Sequence, residues 1–400
     1  MANKAAKMIL LIGALFLLSA CEDGRHFLFD DPSQYIHQEP GRTRHAVFFE
    51  SALMQPAKYE PAEGTLIGMH TDALPSPDGR VIANIEASIG VSHAAFMEVI
   101  RLKDDFPVLW ILECIAEQKI PIIVILPPEG HDPFGSRWEE ILTEAAMAFS
   151  EYPVPMFAVF YPVPVNPGWD AATYIAFFRY ARAIFAAHAP HVAFVWAVDS
   201  DKENFMDYFP GKLAVDWVGL SLFSSSTDIS MDRLLNFYHT FQRDMPIMLN
   251  FGFSHFSTED HRYRITETAA AIKEIYRTIL EGFPRVRIVN YMDISRKDYN
   301  GRDYRINMDA ALRAAYRDSV QGFISEVPRH FHDTLFTLPI RSAYTALVDD
   351  GRIFLDIRIF EELGLPNPSR AIWIDGAGMV DAELAGISAE LYRGQVRITL

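Results

Sequence analysis

The stretch Pro121–Leu126, which reads Pro-Ile-Ile-Val-Ile-Leu, is an apolar run without the alternation that marks a strand with one solvent-exposed face. Such a run predicts a strand buried on both sides, as in a parallel sheet covered by helices. Similar runs recur along the chain and alternate with longer segments of helical period. The predicted strands are Thr65–Asp72, Ala94–Ile100, Pro121–Leu126, Val154–Tyr161, Val192–Asp199, Asp216–Phe223, Pro246–Phe251 and Val286–Asp293.

Eight β/α units between residues 64 and 325 predict an α/β protein of the closed (β/α)₈ TIM-barrel type. A doubly wound open sheet is the alternative fold. It is disfavoured because Gly68–Asp72, at the end of the first predicted strand, contains no glycine-rich phosphate loop.

The sequence pattern changes after residue 325. Predicted strands at Tyr344–Val348 and Arg352–Phe360 flank the turn residues Asp349–Gly351, which is typical of a hairpin. Residues 326–400 are therefore predicted to form a small β-rich appendage. Both a sugar-binding module and a cover on the barrel fit this appendage.

The N-terminus has the pattern of a bacterial lipoprotein signal peptide. Lys4 and Lys7 precede the apolar run Met8–Ala20, which is shorter than the roughly 20 residues that a bilayer span needs. The run ends at Leu18-Ser19-Ala20-Cys21, which resembles a lipobox. We expect residues 1–20 to be a signal peptide and Cys21 to carry a lipid that binds the protein to a membrane; a buried N-terminal helix is the alternative.

The residues after Cys21 bear on location. In familiar lipoproteins an aspartate after the lipidated cysteine favours the inner membrane, and Glu22 stands there instead. We therefore expect the protein to face the periplasm from the outer membrane. Residues 21–63 contain several prolines and no clear periodicity, so they are predicted to be a tether, with Ala46–Phe49 packing on the folded body.

The charge limits the classes of partner. The formal net charge of −16 becomes −18 without residues 1–20, which contain two lysines and no acid. A phosphate backbone would be repelled, so no nucleic acid is expected, whereas a neutral or cationic ligand is compatible. We expect no cofactor and no metal, because His330 and His332 have only Asp333 as a nearby acid and no thiol.

The predicted strand ends carry aromatic, amide and acidic side chains. In a TIM barrel the active site lies at the carboxyl ends of the strands. Rings that stack on sugar faces, together with polar groups that bind hydroxyls, suit a polysaccharide or oligosaccharide. The predicted substrate-binding residues are His70, Asp72, Tyr161, Trp169, Trp196, Asn250, Phe253, His255 and Tyr291.

Three stretches resemble glycoside hydrolase family 26, which comprises β-mannanases and related retaining glycanases with (β/α)₈ barrels. They are Asp170–Val198, with His191–Trp196 near its end, then Asp216–Leu220 and Pro246–Gly252. They occur in the family's order, and the resemblance extends from about residue 64 to about residue 320. It implies a general acid/base glutamate after the fourth strand and a nucleophilic glutamate at the end of the seventh strand.

This chain departs from the family pattern at both catalytic positions. Matching Asn166 to the asparagine of the family's His-Glu-Met-Asn motif puts Pro164 at the acid/base position, and Asn250 stands at the nucleophile position. No acidic residue lies between Tyr152 and Trp169, or between Pro246 and Ser257. The usual double displacement therefore has no agents at these positions, and no residue is assigned as catalytic.

Other carboxylates could substitute for the missing pair. The candidates are Asp72, Glu129, Asp199 and Asp293, two of which could act as acid and base across a water molecule. The alternative is that they bind sugar hydroxyls, cap helices or hold loops. The preferred hypothesis is a catalytically degenerate barrel that binds a polysaccharide in exopolysaccharide assembly or export, alongside proteins of that machinery. An active glycan hydrolase or lyase and a purely structural scaffold are the alternatives.

Overall fold

The computed structural model describes residues 42–73, 80–102, 105–126, 137–161, 163, 169–224, 231–258, 261–297, 301–368 and 371–399. The predictions on residues 1–41, including lipidation of Cys21, and those on Glu129, Pro164 and Asn166 lie outside the described residues. Within the described ranges, no helix is both long enough and apolar enough to cross a membrane.

The chain alternates strands and helices through most of its length. The strands are β1 (Arg42–Glu50), β2 (Leu66–Thr71), β3 (Ala95–Arg101), β4 (Ile120–Leu126), β5 (Met156–Phe160), β6 (Val192–Asp199), β7 (Trp217–Ser224), β8 (Ile247–Phe253), β9 (Phe256–Ser257), β10 (Arg262–Tyr263), β11 (Val286–Asp293), β12 (Ser295–Arg296), β13 (Arg302–Asp303), β14 (Pro339–Asp349), β15 (Arg352–Asp356), β16 (Ile372–Ile374), β17 (Ala377–Asp381), β18 (Ser388–Tyr392) and β19 (Gln395–Thr399). The α-helices are α1 (Ile82–Ile89), α2 (Val108–Ala116), α3 (Trp138–Ser150), α4 (Ala171–His188), α5 (Met231–Phe241), α6 (Ile265–Gly282), α7 (Ala310–Ser319) and α8 (Ile357–Glu362).

Eight parallel strands close into a barrel in the order β11-β2-β3-β4-β5-β6-β7-β8. Strand β11 completes the circle because it pairs in parallel with both β8 and β2. This confirms the predicted TIM barrel, and each of the eight predicted strands corresponds to one barrel strand.

The barrel strands are buried on both faces, which explains their continuous apolar runs. Inside the barrel, Phe157, Trp217 and Met248 belong to one packed cluster. Between the barrel and its helices, Phe194 of β6 packs against Phe178 of α4 at a ring distance of 5.3 Å. Successive residues of a strand therefore alternate between the lumen and the helix-facing core.

The segment that precedes β2 closes the amino-terminal end of the barrel. The Tyr59 ring packs edge-on against Phe157 and Phe331, and its hydroxyl donates to the carbonyl of His191 at 2.5 Å. The indole N–H of Trp217 donates to the Lys58 carbonyl at 2.7 Å. These contacts fix residues 57–60 as a plug beneath the lumen.

Glu60 in this plug is completely buried beside two arginines. Its carboxylate accepts from the guanidinium of Arg285, which is also fully buried, and lies 3.5 Å from Nε of Arg287. Its other oxygen accepts the backbone N–H of Ala57 at 3.1 Å. The plug is thus attached to the start of β11 by a buried cluster of charges.

A second sheet contains seven strands in the order β16-β17-β15-β14-β1-β19-β18. Strand β1 lies inside it, antiparallel to β14 and parallel to β19. This differs from the predicted tether over residues 21–63, because Arg42–Glu50 is part of the fold. The physical reason is that Val47 and Phe49 insert into the apolar core of the sheet. Residues Ala46–Phe49 therefore pack on the folded body as part of strand β1.

The seven-stranded sheet packs at the amino-terminal end of the barrel. The side chain of Gln242, just after α5, exchanges hydrogen bonds with the backbone of Arg341 at 2.8 and 3.1 Å. The guanidinium of Arg341 donates to the carbonyl of Gly282, the last residue of α6. Helices of a TIM barrel run opposite to its strands, so these helix ends lie far from the carboxyl ends of the strands. The sheet therefore covers the end of the barrel opposite the candidate site.

Candidate functional site

The carboxyl ends of the barrel strands form an opening that we call the barrel mouth. The strand neighbours Val198, Leu220, Leu249 and Val289 all lie in the helix-facing core. By alternation, the residue after each of them faces the lumen.

A row of polar side chains crosses four adjacent strands just inside the mouth. Asp199 on β6 pairs in register with Ser221 on β7, which pairs with Asn250 on β8, which pairs with Asn290 on β11. We call these four residues the polar row. Asn290 and Asn250 are buried, whereas Asp199 and Ser221 are partly exposed.

Hydrogen bonds within the polar row fix its amides. The Nδ2 of Asn290 donates to Oδ1 of Asn250 at 2.8 Å, and Nδ2 of Asn250 donates to Oγ of Ser221 at 3.4 Å. The Oδ1 of Asn290 lies where a side chain at Gly68 would stand, since a Cβ built there would be 2.0 Å from that oxygen. Only glycine fits at this close approach.

His70 lies beside the polar row on β2. Its Nδ1 is 2.7 Å from the carbonyl of Met97, so Nδ1 carries the proton in the neutral ring and Nε2 is left as an acceptor. Burial lowers the pKa of His70, which favours the neutral form. The imidazole is therefore suited to accept a hydrogen bond from a hydroxyl group.

Asp199 is the ionisable member of the polar row. It accepts the backbone N–H of Asp201 at 3.0 Å. Burial raises the pKa of Asp199, and the nearby charge of Asp201 raises it further, while Arg296 and Arg233 oppose the shift. A half-buried carboxyl of this kind can accept hydrogen bonds and can also hold a proton.

Four residues predicted to bind substrate lie in the hydrophobic core instead. Trp196, Phe253 and Tyr291 are at most 1% exposed and belong to the cluster between barrel and helices. Their register points them away from the lumen, because a shift of one residue along a strand changes the face. The prediction that these rings bind substrate is wrong.

The fourth of these residues, Tyr161, points away from the lumen for a different reason. Its φ of 46° is in the left-handed region, which turns the ring outward to stack on Phe160 at 4.2 Å. Trp169 packs beside Tyr161 and Phe177 but keeps part of its ring exposed, so it remains a candidate for sugar stacking.

His255 lies in a small sheet that the sequence did not predict. Strands β10, β9, β13 and β12 form this sheet beyond the ends of β8 and β11. His255 is buried there, with Nε2 3.5 Å from Asp303 and its ring stacked on Tyr263. His255 therefore packs within the small sheet and does not belong to the polar row.

Two candidate carboxylates hold the backbone. Asp293 is completely buried and accepts the backbone N–H groups of Ile306 at 2.6 Å and Asn307 at 3.2 Å, so it cannot reach a substrate, and its prediction as a substitute acid is wrong. Asp72 is exposed and accepts the N–H of Ser295 at 2.6 Å. Asp72 and Asp199 remain available at the mouth.

The pKa of Asp293 predicts a pH effect on stability. Burial raises this pKa to about 6 from an ordinary value of 3.8. The protonated form thus stabilises the fold below pH 3.8, and this contribution is lost as the pH rises through 6. We expect wild type to lose about 2 kcal/mol of unfolding free energy relative to Asp293→Asn between about pH 4.5 and about pH 7.5.

Urea unfolding of both proteins at the two pH values measures this difference. Comparing the pair of proteins removes the titration of every other group. If the difference in unfolding free energy between the two proteins is the same at both pH values, or changes in the opposite direction, Asp293 does not have a raised pKa in the folded protein.

Arg296 is a mouth residue that the sequence analysis missed. It lies on β12, and its guanidinium carbon is 4.6 Å from the centre of the Phe223 ring, at the end of β7. Its charge opposes protonation of His70 and stabilises the ionised form of Asp199. No local pattern marks this arginine, because its neighbours at the mouth come from distant strands.

No group of three or more histidine, cysteine or acidic side chains that could hold a metal ion occurs among the described residues.

Sequence comparison gives no match to a family model or to a curated protein.

Solved structures do resemble this chain. One from a Muricauda species, a GH26 protein, has a TM-score of 0.50 at 10% identity and covers 67% of this chain and 91% of its own. A β-mannanase of the same family from Bacteroides ovatus has a TM-score of 0.48 at 11% identity, covering 68% and 95%. A Bacillus subtilis mannanase has a TM-score of 0.45 at 15% identity, covering 69% and 91%. At such identities the likeness is one of fold, so this chain has a (β/α)₈ barrel similar to those of glycoside hydrolase family 26.

Proposed function

We propose that this protein binds a polysaccharide at the barrel mouth and does not cleave it by the retaining mechanism. The observation that carries the proposal is the position of Asn250. It faces the lumen from the middle of β8, at the position that the family resemblance assigns to the nucleophile, and its carboxamide is engaged by Asn290 and Ser221.

Retaining hydrolysis requires two carboxyl groups about 5–5.5 Å apart, one as nucleophile and one as acid/base. A neutral carboxamide is a far poorer nucleophile than a carboxylate. In the sequence, residues 153–168, which contain β5, include no acid. These two observations support the proposal that both agents of double displacement are missing.

Binding does not require those agents. His70 offers an acceptor, Ser221 offers a hydroxyl donor, and Asp199 offers a carboxylate, all on the rim of one opening. Sugar hydroxyls need such partners when they leave water. The partly exposed ring of Trp169 could cover the apolar face of a sugar.

Retention of the protein by a glycan tests the binding site. In gels that contain β-mannan or β-glucan, we expect slower migration of wild type, and about a 5- to 10-fold weaker affinity for Ser221→Ala and for His70→Ala, since each loses a hydrogen bond. Ser150→Ala is the matched control, because Ser150 is exposed at the end of α3, where its hydroxyl donates to the carbonyl of Met147. If both mouth variants are retained by the glycan as strongly as wild type, the binding site lies elsewhere.

The cellular setting is part of the proposal. A lipid on Cys21 would hold the protein on the periplasmic side of the outer membrane, where it would serve exopolysaccharide assembly or export together with proteins of that machinery. The lipobox-like Leu18–Cys21 and the following Glu22 support this setting. Moving the protein from the membrane fraction to the soluble fraction by Cys21→Ser would support the anchor.

An active hydrolase is the second candidate function. The raised pKa of Asp199 favours it, because a general acid must donate a proton. Asp199 and Asp72 would then act as an inverting pair. Release of reducing ends that Asp199→Asn abolishes would support this candidate over binding alone.

A further inference from the structure

A single arginine at the barrel mouth points to the chemical class of the polysaccharide. Arg296 follows the end of β11 by three residues and is half-buried. Its guanidinium lies over the ring of Phe223, which faces the lumen from the end of β7. Cation and ring therefore both belong to the opening.

The neighbouring cations of the small sheet are occupied. Asp303 accepts from Arg305 through both of its oxygens, at 2.9 and 2.7 Å, and lies 3.0 Å from Nζ of Lys297. The guanidinium of Arg296 packs on the ring of Phe223, and among the described residues no carboxylate forms an ion pair with it.

The stacking contact orients this fork. A guanidinium over an aromatic face is held in a defined plane and presents its N–H groups at its edge. The same contact covers one face of Phe223, so that face cannot stack on a neutral sugar. A planar fork of donors matches the two oxygens of a carboxylate.

The net charge of −16 does not exclude an anionic ligand at this point. Charges farther away than about 8 Å are largely screened at physiological ionic strength, so the groups at the mouth decide what binds there. Arg296 attracts a carboxylate, whereas Asp72 and any ionised form of Asp199 oppose it. A neutral glycan offers the guanidinium edge no direct ion pair, whereas a carboxylate of the ligand can accept from two of its N–H groups.

We propose that the barrel mouth binds a polyuronate, with Arg296 pairing with the carboxylate of a uronic acid residue while Ser221 and His70 bind its hydroxyls. This inference rests on the proposed function, since it names the class of glycan for the same site. It revises the expectation of a neutral or cationic ligand that follows from net charge alone.

Isothermal titration with polymannuronate and with β-mannan, its neutral counterpart, tests the inference on the purified full chain. We expect wild type to bind polymannuronate at least about 10-fold more tightly, with an affinity that falls as sodium chloride is added. Arg296→Gln should lose about 10-fold or more on polymannuronate and a clearly smaller factor on β-mannan, which has no carboxylate for the guanidinium to pair with. Arg296→Lys should lie between the two, because it keeps the charge and loses the fork.

Arg277→Gln is the control with the same change of charge. Arg277 lies on the outer surface of α6 and pairs with Glu274 and Glu281. An unchanged melting temperature for Arg296→Gln would assign its effect to the site and not to unfolding.

Two results overturn the inference alone: tighter binding of β-mannan than of polymannuronate, or equal losses of polymannuronate affinity in Arg296→Gln and Arg277→Gln. Failure of both glycans to bind overturns the proposed function as well. The two failures are therefore distinguishable in one set of titrations.

Discussion

Glu60→Ala is expected to destabilise the protein by about 3–5 kcal/mol, because it leaves Arg285 and Arg287 charged and unpaired at the closed end of the barrel. Burial already lowers the pKa of Arg285, while the charge of Glu60 opposes that shift. The substitution also removes the acceptor for the N–H of Ala57, so the plug loses its attachment to β11.

Equilibrium unfolding in urea measures this loss. Glu274→Ala is the matched control, since Glu274 forms an exposed pair with Arg277 on α6 and should cost less than about 1 kcal/mol. If the two substitutions had equal effects, the plug would not depend on the buried charges. An unchanged slope of free energy against urea would show that both variants unfold from the same native state.

The second large effect concerns catalysis. We expect β-mannan to be hydrolysed at least about 10³-fold more slowly than by a retaining glycosidase. General acid catalysis alone contributes about 10²–10⁴-fold, and the proposed function also places Asn250 in the position of the nucleophile. Reducing-end assays with β-mannan and β-glucan measure the rate.

A 2-fluoro sugar fluoride gives an independent readout, because it traps the covalent intermediate of a retaining enzyme on its nucleophile. Intact-protein mass spectrometry should record no added glycosyl group. A labelled carboxylate at the mouth would identify a relocated nucleophile and contradict the assignment of Asn250 as an inert amide.

The barrel was predictable because its strands are buried on both faces. Strands such as Val192–Asp199 then read as unbroken apolar runs, and helices of regular period separate them. The small sheet was not predictable in the same way. Its strands are two residues long, as in Phe256–Ser257, and such segments carry no periodicity.

The functional residues were only partly predictable. Asn250 and Asp199 were found because they lie in apolar strands that the sequence places to within a few residues. Trp196 was misassigned because facing the lumen or the helices depends on a single step of register, which apolar runs buried on both sides do not reveal. Tyr161 was misassigned because its left-handed backbone conformation, which the sequence does not reveal, turns its ring away from the lumen.

The amino-terminal assignment differed from the structure for a related reason. Residues 42–63 contain prolines and little periodicity, which is typical of a tether. Yet Phe49 lies in the core of the seven-stranded sheet, and Glu60 lies in the barrel plug, both through partners more than 200 residues away. Pairing across that separation leaves no local signal.

The central claim is that the mouth holds a polysaccharide and leaves it intact, and one sample can test both halves of it. Purified full chain is incubated with β-mannan or polymannuronate, and the bound protein and the chain length of the glycan are measured together by size-exclusion chromatography with light scattering. We predict co-elution that Ser221→Ala weakens, with no shortening of the glycan over the incubation. Shortened chains produced by wild type and not by Asp199→Asn would contradict the account.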